Sequence, residues 1–136
     1  MTSQGFLREF ISPDGAAAIV VEDDGRVAYG YWLDAKGSIG GDVWLYNRGP
    51  APEQPEWTNR EGAPYANPAA FVDEAVAFSR PSSAACLTVE WRGQGSGQIG
   101  EIFVAGVLLA RLTNGSKPGW SRLAAKDGPL ALRLTE

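Results

Sequence analysis

Residues 16–33 read AAAIVVEDDGRVAYGYWL, which is two apolar runs on either side of the tetrapeptide Asp23-Asp24-Gly25-Arg26. Valine, isoleucine and aromatic residues dominate both runs, and these side chains favour extended backbone. The Asp24-Gly25 dipeptide supplies the positive φ that a tight reversal needs. The stretch therefore predicts a β-hairpin whose strands cover residues 16–22 and 27–33.

Further short apolar runs are separated by turn residues along the rest of the chain. Asx-Gly dipeptides recur at 14–15, 114–115 and 127–128 and indicate tight turns. The pattern predicts additional strands over residues 39–46, 86–91, 98–104, 107–112 and 130–134. About eight short strands joined by short reversals favour an all-β fold, either an antiparallel sandwich or one strongly bent sheet that closes on itself.

The segment after the third predicted strand has a different character. Residues 47–68 contain five of the nine prolines, and they predict one long ordered loop because proline fixes φ and removes a backbone donor. Asn67-Pro68 resembles a helix N-cap followed by a first-turn proline, and apolar residues from Phe71 to Phe78 recur at helical spacing. We expect one short helix here. A larger helical share would make the fold α+β.

The size and composition of the chain bound its class. Its 136 residues are 44% hydrophobic, which predicts one folded domain spanning 1–136. Cys86 is the one cysteine, so no disulfide can form within the chain, as is typical of a reducing compartment. The sequence has neither a basic start followed by an apolar run nor a stretch of about 18 apolar residues. We therefore expect a cytoplasmic protein with no membrane partner.

The sequence lacks the usual signatures of catalysis and of cofactor or metal binding. Histidine is absent, which removes the commonest general base and transition-metal ligand. Residues 95–100 spell GSGQIG, but the β-branched and aromatic residues that follow indicate a hairpin loop rather than a dinucleotide site. Cys86 lies in an apolar strand pattern, and the carboxylates of residues 22–24 lack the spacing of a calcium loop. We expect no catalytic residues, no cofactor and no metal.

Charge is distributed unevenly between the two halves of the chain. Residues 1–74 carry 12 acidic and 5 basic side chains, a net charge of −7, whereas residues 75–136 carry 4 acidic and 7 basic ones, a net charge of +3. Two interpretations are open: the halves attract each other within one fold, or the acidic half forms a surface that faces a partner. The total of −4 disfavours nucleic acid as that partner.

Two groups of residues are candidates for a binding surface. Strict alternation along 39–46 places three side chains on one face, and two further aromatic residues lie in the proline-rich loop. These five candidates are Asp42, Trp44, Tyr46, Trp57 and Tyr65. They form an exposed recognition patch, or else the long loop covers them. A basic, glycine-containing segment provides a second candidate, an anion site formed by Lys117, Arg122 and Lys126.

These observations favour a non-enzymatic binding protein whose partner is another protein. In size and composition the chain is similar to the small acidic β-rich proteins that bacteria use to bind a single partner, among them immunity proteins that neutralise a toxin; this similarity transfers no residues. The alternative is a carbohydrate-binding or carbohydrate-processing sandwich that stacks sugars on aromatic rings and uses a carboxylate pair. Its candidate residues are Trp44, Trp57 and Tyr65 for stacking, and two of Asp42, Glu90 and Glu101 for acid–base chemistry. A third alternative is a homodimer that buries the same aromatic residues.

Overall fold

The computed structural model describes residues 5–48, 51–55, 57, 65–73, 75, 80, 81, 83–93 and 97–134. Within these residues the backbone forms nine β-strands, and 3₁₀ turns cover Ala69–Phe71 and Ala84–Cys86. The strands are β1 (Phe6–Ile11), β2 (Ala18–Asp23), β3 (Val27–Leu33), β4 (Ile39–Asn47), β5 (Leu87–Arg92), β6 (Ile99–Val104), β7 (Val107–Thr113), β8 (Trp120–Ser121) and β9 (Leu132–Arg133). The prediction of an all-β fold is confirmed.

The strands form two sheets. The first sheet is an antiparallel meander in the order β1-β2-β3-β4, and the second has the order β5-β6-β7-β8-β9 with β8 and β9 parallel. The predicted hairpin is β2–β3, in which Val21 lies opposite Gly30. Its turn is fixed by Asp24 Oδ1, which accepts hydrogen bonds from the backbone N–H groups of Arg26 and Val27 at 2.8 and 2.9 Å.

The two sheets are joined along β4. The backbone N–H of Asp42 donates to Ser116 O at 2.9 Å, and Gly119 N–H donates to Asp42 O at 2.6 Å. Further along the strand, Trp44 N–H donates to Leu130 O at 2.9 Å. β4 therefore pairs with β3 along one edge and with segments beside β8 and β9 along the other. β1 lies at the free end of the first sheet, and β5 and β9 lie at the two ends of the strand order of the second.

The core lies between the sheets and draws side chains from both. Ile19, Trp32 and Val43 of the first sheet belong to one buried cluster with Ile102 and Leu112 of the second. The sheets approach closely, since a Cβ added to Gly100 of β6 would overlap Ile19 Cδ1 of β2. Face-to-face packing of two twisted sheets is the sandwich arrangement that the sequence predicts.

Within the described residues, the predicted short helix is limited to the 3₁₀ turn Ala69–Phe71, and it does not continue towards Phe78. The 3₁₀ turn ends at Phe71, and Val72 is extended with φ −108° and ψ 128°. From there the backbone bonds to a distant segment: Asp73 N–H donates to Leu123 O at 2.8 Å, and Val72 forms an isolated bridge with Ala124. These tertiary hydrogen bonds replace the local ones that a helix would need. Phe78 lies outside the described residues.

Replacing Gly100 with alanine tests how closely the sheets are packed. We expect Gly100→Ala to destabilise the fold by about 2 kcal/mol, because the added methyl group must displace Ile19. Gly97→Ala is the matched control, since a Cβ there meets no atom within 4 Å, and its effect should stay within about 0.5 kcal/mol. Urea unfolding measures both. Equal effects would contradict this packing.

Candidate functional site

The side of the first sheet that faces away from the core is unusually apolar. On β1, Phe6 and Phe10 pack against the core, so Leu7, Glu9 and Ile11 lie on the opposite side. Antiparallel register brings residues of β2, β3 and β4 into line with them. We call this surface the outer face of the first sheet, and its members are Leu7, Glu9, Ile11, Val20, Glu22, Tyr31, Leu33, Ile39 and Asp42.

Three large apolar side chains of this face are exposed. Leu7, Ile11 and Ile39 are 66%, 64% and 54% exposed, and they are three of the four exposed large hydrophobic residues among those the structure describes. Ile11 and Ile39 occupy the same row, because Ile11 pairs with Ala18, Ala18 with Leu33 and Leu33 with Ile39. The outward side of an antiparallel sheet is usually polar. Exposed apolar side chains grouped on this outward side therefore indicate a contact surface.

Carboxylates are interspersed with these apolar residues. Glu9, Tyr31 and Asp42 form one cross-strand row through Val20, and Glu22 lies in the neighbouring row opposite Leu7. A shallow cavity of about 210 Å³ opens beside them, with Glu9, Ile11, Leu33 and Asp34 among its lining residues. The face thus offers apolar contact area together with negative charge.

The electrostatics of the face follow from this arrangement. Partial burial, followed by the negative charges of Glu22, Asp42 and Asp24, raises the pKa of Tyr31 to about 12. Burial also raises the pKa of Asp42, and the positive charge of Lys117 partly opposes that rise. Both shifts have the sign expected where acidic groups are partly removed from water. A cation that approaches this face gains a favourable interaction with its carboxylates.

The predicted patch of Asp42, Trp44 and Tyr46 does not exist as one exposed surface. Trp44 and Tyr46 are both fully buried, at 0% exposure. Tyr29 pairs with Trp44 while Ala28 pairs with Tyr46, so an extra residue bulges out of β4 between them. The bulge moves Tyr46 to the core side of the sheet. There its hydroxyl donates to the buried Asp23 Oδ2 at 2.6 Å.

Trp44 remains on the outer side but is covered by the end of the proline-rich loop. Its Nε1–H donates to Asn47 Oδ1 at 2.8 Å, and Asn47 Nδ2 donates to Asn67 O at 2.9 Å. The hydroxyl of Tyr29 donates to Tyr65 O at 2.6 Å. Of the two arrangements open for this loop, covering is the one that the structure has at residues 65–67.

Trp57 belongs to a different cluster. Its ring stacks on Phe71 with centroids 5.8 Å apart, and Lys126 Nζ lies 4.8 Å from the centroid of the same Phe71 ring. Tyr65 is half-buried, and its backbone carbonyl accepts the hydrogen bond from the Tyr29 hydroxyl. Of the five predicted surface residues, Asp42 is the one that lies on the outer side of the first sheet without being fully buried.

The predicted anion site is not assembled as one loop. Lys117 is exposed, and its positive charge partly opposes the rise that burial causes in the pKa of Asp42. Lys126 lies over the ring of Phe71. Arg122 lines a separate cavity on the second sheet with Arg92 and Arg111. The three predicted cations therefore occupy three different places.

The carboxylate pair of the carbohydrate alternative is also divided. Asp42 lies on the first sheet, whereas Glu90 and Glu101 lie opposite each other on β5 and β6 of the second. Glu101 is already engaged, because Oε2 accepts hydrogen bonds from Arg92 and Arg111. Within the described part of the chain, no group of three His, Cys, Asp or Glu residues could hold a metal ion. No helix in that part is long and apolar enough to cross a membrane.

Sequence reasoning missed Leu7, Ile11 and Ile39. The first two lie on β1, which the strand pattern did not identify because Arg8 and Glu9 interrupt its apolar residues. The pattern that could have identified this strand is its period of two. Leu7, Glu9 and Ile11 alternate with Phe6, Arg8 and Phe10, as expected for a strand with two different faces.

Tyr31 provides a pH test of the site. Because the folded state raises its pKa from 10.0 to about 12, the folded chain holds this proton more tightly than the unfolded chain does. Its contribution to stability is complete below pH 10 and is lost as pH rises towards 12. We expect the wild type to lose more stability across this interval than Tyr31→Phe, as measured by urea unfolding at each pH. Identical pH profiles would contradict the proposed environment of Tyr31.

Comparison of the chain with protein-family models, with curated proteins and with solved structures finds no match in any of the three. The function must therefore be inferred from the chain's own residues.

Proposed function

We propose that this chain is a non-enzymatic binding protein that recognises a cationic segment of another protein through the outer face of its first sheet. The observation that carries the proposal is that Leu7, Ile11 and Ile39 are exposed on the same face of the sheet as the carboxylates of Glu9, Glu22 and Asp42. Apolar contacts supply most of the affinity in protein interfaces, and charge mainly supplies steering and selectivity.

The chemistry of the face supports a partner that combines apolar and basic residues. Exposed aliphatic side chains favour a partner with apolar residues, and the carboxylates favour lysine or arginine beside them. The overall charge of −4 adds long-range attraction for a basic protein. A basic toxin held by an immunity-type protein is one biological form of such a pair. We place the protein in the cytoplasm, a location that the single unpaired Cys86 supports.

The carbohydrate alternative has less support. Aromatic stacking on a sugar needs an accessible ring face, and Trp44 is fully buried. The homodimer alternative would use the same outer face, with a second copy in place of a different protein. Sedimentation analysis of the isolated chain separates a homodimer from the proposed binder, which should sediment as a monomer.

The decisive variant removes two exposed apolar contacts. Leu7→Ser with Ile11→Ser should weaken binding to a partner captured from the source cells by about tenfold or more, equivalent to about 1.4 kcal/mol. Both side chains are exposed, so the fold should remain stable. The affinity for the captured partner, once purified, is measured by calorimetry.

Val107→Ser is the matched control, because Val107 is the fourth exposed large hydrophobic residue among those the structure describes and lies on the second sheet. It should leave the affinity unchanged. The proposal is wrong if the control weakens binding as much as the Leu7 and Ile11 variant, or if neither weakens it.

The carboxylates should act mainly on the association rate. Glu22→Gln with Asp42→Asn should slow association and flatten its dependence on salt, while dissociation changes less. Stopped-flow kinetics at low and high salt measure this effect. An unchanged salt dependence would contradict electrostatic steering by this face.

A further inference from the structure

The second sheet carries a cavity whose chemistry is opposite to that of the first sheet. It has a volume of about 630 Å³ and is open to solvent. Residues of β5, β6 and β7 and the residue after β8 line it. Arg111 and Arg122 are among its polar lining residues, and Phe103, Val107 and Leu108 are its large apolar ones. Arg92 and Glu101 complete the polar part of the lining.

Positive charge predominates in this cavity. Three guanidinium groups and one carboxylate line it, an excess of two positive charges in a chain whose net charge is −4. Glu90 lies opposite Glu101 on β5, but it does not line the cavity. The cavity is thus a local cationic site within an acidic protein, on the sheet that the basic half of the sequence forms.

Glu101 orients two of the arginines and leaves part of their hydrogen-bonding capacity unused. Its Oε2 accepts hydrogen bonds from Arg111 Nε at 3.0 Å, from Arg111 Nη2 at 2.8 Å and from Arg92 Nη2 at 3.0 Å. Glu101 itself is only 7% exposed, which anchors this arrangement in the sheet. A guanidinium offers five N–H donors, so Arg92 and Arg111 both keep donors for a further acceptor.

Arg122 is not engaged in this way. It is half-buried at the wall of the cavity, and its guanidinium makes no hydrogen bond or ion pair with any residue in the described part of the chain. Only its backbone is fixed, by an N–H that donates to Leu109 O at 2.7 Å. Partly removing an unpaired charge from water is unfavourable unless an opposite charge compensates it.

We propose that this cavity binds a small organic anion, a carboxylate or phosphate ester attached to an apolar group. The planar guanidinium of Arg122 matches the two oxygens of such an anion, and Arg92 and Arg111 supply further donors. Phe103, Val107 and Leu108 provide the apolar wall against which the rest of the ligand packs. Glu101 acts as a positioning residue that holds Arg92 and Arg111 in place.

Calorimetry on the full chain, with phenyl phosphate and benzoate as the probes, tests this proposal and distinguishes the two anion types. At least one probe should saturate a single site with a Kd at or below about 1 mM. Inorganic phosphate should bind more weakly because it lacks the apolar group. Phenol should not bind because it lacks the anionic group. Failure of both probes to bind would overturn the proposal.

Arg122→Gln should weaken binding of the probe by about tenfold, the loss expected for one charge-assisted contact. Arg122→Lys should recover only part of this loss, because it keeps the charge without the planar fork. Arg133→Gln is the matched control, since Arg133 is an exposed arginine of β9 outside the cavity, and it should bind as the wild type does. Equal weakening by Arg122→Gln and Arg133→Gln would show unspecific attraction of an anion and overturn the site.

Two-dimensional NMR of the arginine Nε–H groups gives a second measurement that depends on no variant. The probe should shift the signals of Arg111 and Arg122 and leave that of Arg133 in place. Shifts of Arg133 alone would contradict the assignment. Because the cavity and the outer face of the first sheet lie on different sheets, this site can fail while the proposed protein-binding function stands.

Discussion

β4 forms backbone hydrogen bonds along both of its edges, and this double pairing determines how the two sheets lie against each other. On one edge it continues the first sheet, and on the other Asp42 and Trp44 bond to Ser116, Gly119 and Leu130 beside the short strands of the second. The sandwich is therefore linked along β4, and β1, β5 and β9 lie at the ends of the two strand orders. Each sheet keeps one side for the core and one side for solvent, and the candidate sites lie on these two outer sides.

The two outer sides differ in charge because each sheet comes from one half of the sequence. Strands β1 to β4 belong to the acidic half and β5 to β9 to the basic half. The described ion pairs do not neutralise one half with the other: Arg48 pairs with Asp23 in the first, and Arg92 and Arg111 pair with Glu101 in the second. Burial raises the pKa of Asp42 in the acidic half, and the positive charge of Lys117, in the basic half of the sequence, partly opposes that rise. The unequal charge of the sequence thus remains visible as two surfaces of opposite character.

Local patterns predicted the elements that depend on local physics. The β2–β3 hairpin follows from alternating apolar residues around Asp24-Gly25, whose turn the Asp24 side chain fixes. The burial of Trp44 could not be predicted, because the residues that cover it lie some 20 positions later in the chain. Asn47 and Asn67 are hydrogen-bonded across that interval. Tyr46 lies on the core side of the sheet, and not on the outer side with Trp44, because β4 has a bulge that the alternation of residues alone does not reveal. Arg122 likewise joins Arg92 and Arg111 only through the strand order of the second sheet.

The central claim is that recognition of a protein partner takes place on the outer face of the first sheet, and mapping the contact on the labelled chain tests it most directly. Amide signals should be followed by NMR while the captured partner is titrated in. The account predicts that the perturbed amides cluster in residues 7–11, 18–22, 31–33 and 39–42, with the second sheet little changed. Perturbations concentrated in β6 and β7 instead, with the first sheet unaffected, would contradict it.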